Sequence, residues 1–242
     1  MVTVYILYFA TKQQGLTQIQ NTAVTPCPSL ADSVVNNSVE QQPQPQVNKE
    51  PCFPDICGQP KRDSTQNPVQ DSFEKIYANF KWGRNGGGSG DGSEPSSTIS
   101  TRVIVELVIY KYRITSLLDA PCGAIVWTRL LLAKIFEKIP CFKYYGVDVV
   151  RSVISKLTEE FSPVPNMVFN VTDLSSPGVE LPPGDLILCR DALQHLPYEN
   201  IINILENYSK SKARYLIVGS YPKDANNENI PIGIIYFPIF IH

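Results

Sequence analysis

The sequence predicts an α/β protein built on a doubly wound, mostly parallel sheet. Three observations predict it. From residue 114 onward, short and nearly continuous apolar runs alternate with segments of helical period, as strands buried on both faces and covered by helices do. The 242 residues, 43% hydrophobic and 18% charged, can bury one good-sized core. Acids close three successive apolar runs, at Asp119, Asp148 and Asp173, at the strand ends where such sheets bind ligands.

Taken in order, Val2 to Ala10 (VTVYILYFA) is apolar for about nine residues, well short of the roughly 20 of a spanning helix. Residues 1–12 read as a signal-peptide core, although no Lys or Arg precedes the run, or as the remnant of an anchor or a strand. Membrane association is left open by this segment. Residues 13–70 are rich in Gln, Asn, Pro and Ser and show no period, the composition of a disordered linker. The folded domain is expected over 71–242.

That domain opens with a helix capped at Asp71 and marked by Phe73, Ile76, Tyr77 and Phe80. The loop KWGRNGGGSGDGS, Lys81 to Ser93, leads to a second helix capped near Ser97 or Thr98, with Ile99, Val103 and Leu107 on its apolar face. The alternation then gives strands at 114–120, 143–149, 167–171, 185–189 and 213–219. Helices are expected at 126–137, along Val150, Val153, Ile154, Leu157 and Phe161, and at 200–209 after Pro197.

A net charge of -2 provides no basic field for nucleic acid. Small-molecule chemistry fits that balance. The six cysteines form no CxxC pair, so no metal site is expected, and Cys122 and Cys189 read as thiols packed near the site. Sequons stand at Asn36, Asn170 and Asn207. A glycan on Asn170, inside a predicted core strand, would block folding, which favours the cytoplasm over the secretory pathway.

The stretch LLDAPCGAIVW, Leu117 to Trp127, is the turn after the first strand of the alternation. Gly123 permits close backbone approach, and the following helix offers unpaired N–H groups, although a simple tight turn would read the same way. Asp148 suits a ribose diol, or a helix cap. Asp173 suits an adenine amino group. Together the three acids point to an adenosine ligand. Ala124, Ile125 and Val126 follow Gly123, where a diphosphate cofactor needs glycines. S-adenosylmethionine, which has no phosphate and is cationic, fits the acids better than a dinucleotide does. The fourth strand ends with Arg190, Asp191 and His195. His195 could serve as a general base or pack and cap; Arg190 could bind a substrate anion or pair with Asp191.

With these residues in view, the chain from about Phe73 to Ile230 resembles the class I S-adenosylmethionine-dependent methyltransferases. It looks most like a mainly bacterial, poorly characterised subgroup sharing W-G-x-G-S-G-x-G-S, L-D-x-P-C-G-D-x-x-W, G-V-D-I-V, D-L-I-L-C-R-D-x-L-x-H-L and N-x-D-I-x-T-G. Here these read Trp82 to Ser93, Leu118 to Trp127, Gly146 to Val150, Asp185 to Leu196 and Asn227 to Gly233. The resemblance implies a Rossmann-like fold. It implies cofactor contacts at Asp119, Pro121, Cys122, Gly123, Trp127, Asp148, Val149, Thr172, Asp173, Cys189 and Arg190. It further implies a glycine-rich loop holding Trp82, Ser89, Gly90, Gly92 and Ser93. The catalytic group would be His195 oriented by Asp191, with Arg190, and the acceptor a small-molecule oxygen or nitrogen. Ala124 departs from the subgroup's acid, and the tail IPIGIIYFPIFIH cannot hold the family's last helix and antiparallel pair. The fifth predicted strand is then an edge open to self-association. A truncated, inactive or merely binding chain is the alternative, and an NAD-dependent Rossmann oxidoreductase a second.

Overall fold

The computed structural model describes residues 3–8, 67–220 and 228–234. In chain order the elements are β1 (Thr3–Tyr8), α1 (Pro68–Ala78), α2 (Ile99–Lys111), β2 (Ser116–Asp119), α3 (Thr128–Lys138), β3 (Lys143–Asp148), α4 (Arg151–Glu160), β4 (Met167–Val171), β5 (Leu186–Cys189), α5 (Tyr198–Lys210) and β6 (Tyr215–Ser220). The strands form one sheet in the order β1-β6-β5-β2-β3-β4. β6, β5, β2, β3 and β4 are parallel to one another, and β1 is antiparallel to β6. This is the doubly wound α/β sheet the alternation predicts.

Period-two alternation assigns each strand residue to a face. Leu117 of β2 and Leu186 and Leu188 of β5 join Leu131, Leu132 and Ile135 of α3 in one core layer. Leu118, Ile187 and Cys189 face the other layer, with Ile204 and Tyr208 of α5. Tyr208, 1% exposed, donates its hydroxyl to the Ala120 carbonyl, tying α5 to the end of β2. Burying one such large side chain is worth on the order of 2 kcal/mol.

Several expectations are corrected. The fifth predicted strand, β6, is not an open edge: Thr3 to Tyr8 pair with Ser220 to Tyr215 along its whole length. The apolar N-terminal stretch is thus an antiparallel strand, and the β6 carbonyls and amides are shared between two partners. The first helix begins at Pro68 rather than Asp71, because the Asn67 side chain accepts from the Val69 and Gln70 amides at 3.0 Å each and Pro occupies the first turn. In α2 the expected apolar face is outward: Ile99, Val103 and Leu107 are 58%, 50% and 61% exposed, and Thr101, Val105, Val108 and Ile109 are buried. Asn170 is exposed on the edge strand β4, so no compartment follows from it; of the two sequons among the described residues Asn207 is the buried one, its amide donating to the Leu174 and Ser176 carbonyls. Apart from Asn67 to Gln70, the stretch expected to be a linker lies outside the described residues, as does the tail beyond Ile234. Among the described residues no helix is long and apolar enough to cross a membrane.

Candidate cofactor site

Strand order reverses between β2 and β5, whose connections leave in opposite directions, and the carboxyl ends of these strands open onto one cavity. β2 contributes Asp119, β3 Asp148, the turn after β4 Thr172 and Asp173, and the turn after β5 Arg190 and Asp191. Pro121, Cys122, Gly123 and Trp127 line it from the turn before α3, Val149 from the turn before α4, and Trp82, Ser89 and Ser93 from the glycine-rich loop. His195 lies on its wall. Residues that the alternation places at one edge of the sheet therefore meet.

Asp119 is 3% exposed and accepts the Tyr144 hydroxyl at 2.8 Å. Burial raises its carboxyl to about 7 despite that hydrogen bond. An acid so placed is half protonated at neutral pH and is stabilised by any cation beside it. Asp148, 5% exposed, is also raised by burial, partly offset by the Val150 and Gly123 amides that its oxygens accept at 3.0 and 2.9 Å. Each oxygen takes one of these amides, which leaves acceptor capacity on both. The Cys122 thiol, pushed well up by burial, is neutral.

The turn is closed over by the glycine-rich loop. Ser89 Oγ is 2.7 Å from the Tyr77 hydroxyl and accepts from the Ala124 amide at 3.3 Å. Gly123 sits at φ 54, and a Cβ there would lie 2.9 Å from Ser89 Oγ and 3.1 Å from Tyr77 Oη. A Cβ on Gly87 would meet Ala124 Cβ at 2.8 Å. The glycines let the loop lie on the turn rather than wrap a phosphate. The Arg129 amide, in the first turn of α3, is likewise paired, to the Ile125 carbonyl.

Other expected roles change. Asp173 accepts from Asn67 Nδ2, the Ser175 amide, Ser175 Oγ and Ser176 Oγ at 2.7–3.1 Å. Four donors fill a carboxylate's roughly four acceptor positions, so Asp173 braces α1 and its own turn and has none left for an adenine amino group. Cys189 is 1% exposed in the layer beneath α5, with a thiol pushed up to about 12 by burial, and does not line the cavity. Gly90 and Gly92 shape the loop without lining the cavity. Arg190 is held internally: it pairs with Asp191 at 2.6 Å, donates to the Gly92 carbonyl at 3.0 Å and lies 5.7 Å over the Trp127 ring.

His195, 7% exposed, stacks on Trp82 with ring centroids 4.5 Å apart. Its Nδ1 is bonded to the Ile234 carbonyl at 2.9 Å, so the expected orientation by Asp191 is replaced by a backbone group 39 residues away. Burial lowers its pKa, against the raising effects of the Ile234 bond and the Asp191 charge, and the ring is neutral at neutral pH. Residues the sequence did not single out as site residues complete the wall: Val69, Phe73 and Tyr77 of α1, Thr128 of α3 and Ser175. The helical spacing of Phe73 and Tyr77 identifies their face but not what it meets.

No protein-family model matches the chain, and no curated protein does. Among solved structures, human N-acetylserotonin methyltransferase in complex with SAM is similar at 17% identity and TM-score 0.41, over 62% of this chain and 41% of that one. PKMT2 from Rickettsia typhi is 23% identical at TM-score 0.33, over 40% and 18%. N-methyltransferase NodS from Bradyrhizobium japonicum is 17% identical at TM-score 0.35, over 48% and 64%. The chain spans less than two thirds of the length of each.

Proposed function

We propose that this chain binds S-adenosylmethionine in the cavity at the ends of β2, β3 and β5 and transfers its methyl group to a small-molecule oxygen or nitrogen. The observation that carries the reading is the pairing of two desolvated carboxylates, Asp119 and Asp148, across a turn that the glycine-rich loop covers. A buried acid pair attracts a cation and repels a phosphate. Asp148, with acceptor capacity on both oxygens, suits a ribose diol; Asp119, deeper and raised to about 7, suits the ammonium of the methionine end. With Asp173 filled by internal donors, the adenine would be held by the backbone and apolar groups around Val149, Thr172 and Leu174.

S-adenosylmethionine supplies a methyl group on a positively charged sulfur. The protein's part is to hold the acceptor in line with it, and such positioning contributes up to about 7–11 kcal/mol toward lowering the barrier. His195, neutral and on the cavity wall, takes the acceptor's proton where the acceptor is a hydroxyl; Trp82 fixes the plane of its ring. The Arg190–Asp191 pair ties the glycine-rich loop to the end of β5.

Calorimetric titration of the full chain with S-adenosylhomocysteine tests the reading, with NAD as the contrast. Binding to the former alone is expected. Binding to NAD alone would replace the reading with a dehydrogenase one, and binding to neither would reduce the cavity to a structural feature.

A further inference from the structure

The motif Asn227 to Gly233 finds no place in the cofactor site, yet its described part and the residue after it, Ile234, are fastened to the His195 turn and the start of α5 at three points. Asn229 Oδ1 accepts from the Tyr198 amide, at the start of α5, at 2.8 Å. The Gly233 amide donates to the His195 carbonyl at 2.7 Å. The Ile234 carbonyl lies 2.9 Å from His195 Nδ1. A carbonyl oxygen only accepts, so in that bond Nδ1 carries the hydrogen and Nε2 holds the lone pair. No group among the described residues is hydrogen-bonded to Nε2, and the ring forms part of the cavity wall.

We infer that Asn229 to Ile234 is a positioning element that holds His195 as the Nδ1–H tautomer and so keeps the Nε2 lone pair available to remove a proton from an acceptor hydroxyl. The catalytic half of this inference rests on the methyltransferase reading; the tautomer does not. Gly233 is the keystone. Its φ of +78 is a conformation side chains rarely adopt, and a Cβ there would also lie 2.7 Å from Ile76 Cδ1, so glycine at this position lets the segment seat against α1 without backbone strain. Trp82 stacks on the ring and Asp191 acts on it electrostatically, but the ring's hydrogen bond is to a backbone oxygen, which can only accept.

The chain has two histidines, His195 and His242, so 15N-histidine labelling of the full chain gives a spectrum of two rings. Wild-type protein should show His195 with a pyrrole-like Nδ1 and a pyridine-like Nε2. Gly233→Val, which strains the seating of the segment, and Asn229→Ala, which removes its anchor at Tyr198, should shift His195 toward the Nε2–H form, more completely in the former. Cooperative thermal melting of the ligand-free chain serves as the fold control for both variants. A wild-type His195 protonated at Nε2 overturns the inference, as does a folded Gly233→Val variant that keeps the Nδ1–H form. Wild-type protein with the expected tautomer but no affinity for S-adenosylhomocysteine would sink the methyltransferase reading and leave the tautomer assignment standing.

Discussion

Asp119→Asn separates the stability of the fold from the use of the site. The carboxyl of Asp119 moves from its ordinary value of 3.8 to about 7 in the fold, chiefly by burial. The folded chain therefore holds this proton more tightly than the unfolded chain does. Its stabilising contribution is complete below pH 4 and is lost as pH rises through 7. That difference corresponds to about 4 kcal/mol. The amide variant is close to an isostere of the protonated acid and has no charge to desolvate. The two proteins should thus melt alike near pH 4 and diverge steadily, with the variant the more stable at pH 8 by about 4 kcal/mol, on the order of 10 °C for a chain of this size. Asp148 titrates in the same direction in both proteins, so its contribution largely cancels in the difference.

The assay is ligand-free thermal melting of both proteins between about pH 4 and pH 8, the range over which the carboxyl loses its proton. A parallel titration with S-adenosylhomocysteine should show the variant binding roughly 10- to 100-fold more weakly, the loss of one charge-assisted hydrogen bond. In the wild type, binding below pH 7 should release protons, visible as a heat that depends on the buffer. A variant that melts at or below the wild type at pH 8, or a gap that does not change with pH, would refute the desolvated carboxylate. A stabilised variant with unimpaired affinity would leave the electrostatics intact and remove Asp119 from the ligand.

Asp148→Ala leaves the Gly123 and Val150 amides without their acceptor, a loss of roughly 1–3 kcal/mol for each; it should abolish calorimetric binding of S-adenosylhomocysteine, and intact binding would sink the ribose assignment. Gly123→Ala forces a side chain into φ 54 and against Ser89 Oγ, at about 1–2 kcal/mol for the backbone alone; a lower melting temperature is expected, and an unchanged one would mean that the loop does not rest on the turn. Removal of residues 1–8 leaves the β6 edge unpaired; light scattering should then report increased mass and a melt a lower transition, whereas an unchanged mass and melt would show that β1 contributes nothing to the sheet.

The sheet was legible because a parallel strand buried on both faces must be apolar along its length, and Leu117, Leu118, Leu186, Ile187 and Leu188 leave little else to read. Partners were not legible. The period of α2 is clear, but the helix is apolar nearly all round, and nothing in Ile99, Val103 and Leu107 says that Val105 and Ile109 are the residues turned inward. The run at Thr3–Tyr8 reads as strand or anchor until β6 is seen beside it. Asn67-Pro68 continues a linker-like composition, and only the Val69 and Gln70 amides identify Asn67 as a cap. The carbonyl that orients His195 belongs to Ile234, and a backbone oxygen has no signature in a sequence.

Asp148 and Asp173 mark where that limit falls within the site. Both follow apolar strands, both reach the same edge of the sheet and both line the cavity. Alternation alone brings them there, so position predicts that they meet the same ligand. What separates them is the number of donors already spent on each. The chain turns from β3 directly into α4 and offers Asp148 the Val150 amide, and the turn after β2 adds the Gly123 amide. After β4 the chain turns back through Ser175 and Ser176 while α1 brings Asn67 across, and Asp173 takes four donors. One carboxylate keeps acceptor capacity and a raised pKa; the other is spent on holding the cap of α1 in place. Substituting Asp173 by Asn should therefore act first on stability, through the Asn67 and Ser175 bonds, and melting should fall before affinity for S-adenosylhomocysteine does. An Asp173→Asn protein of wild-type stability with lost affinity would return the adenine contact to Asp173.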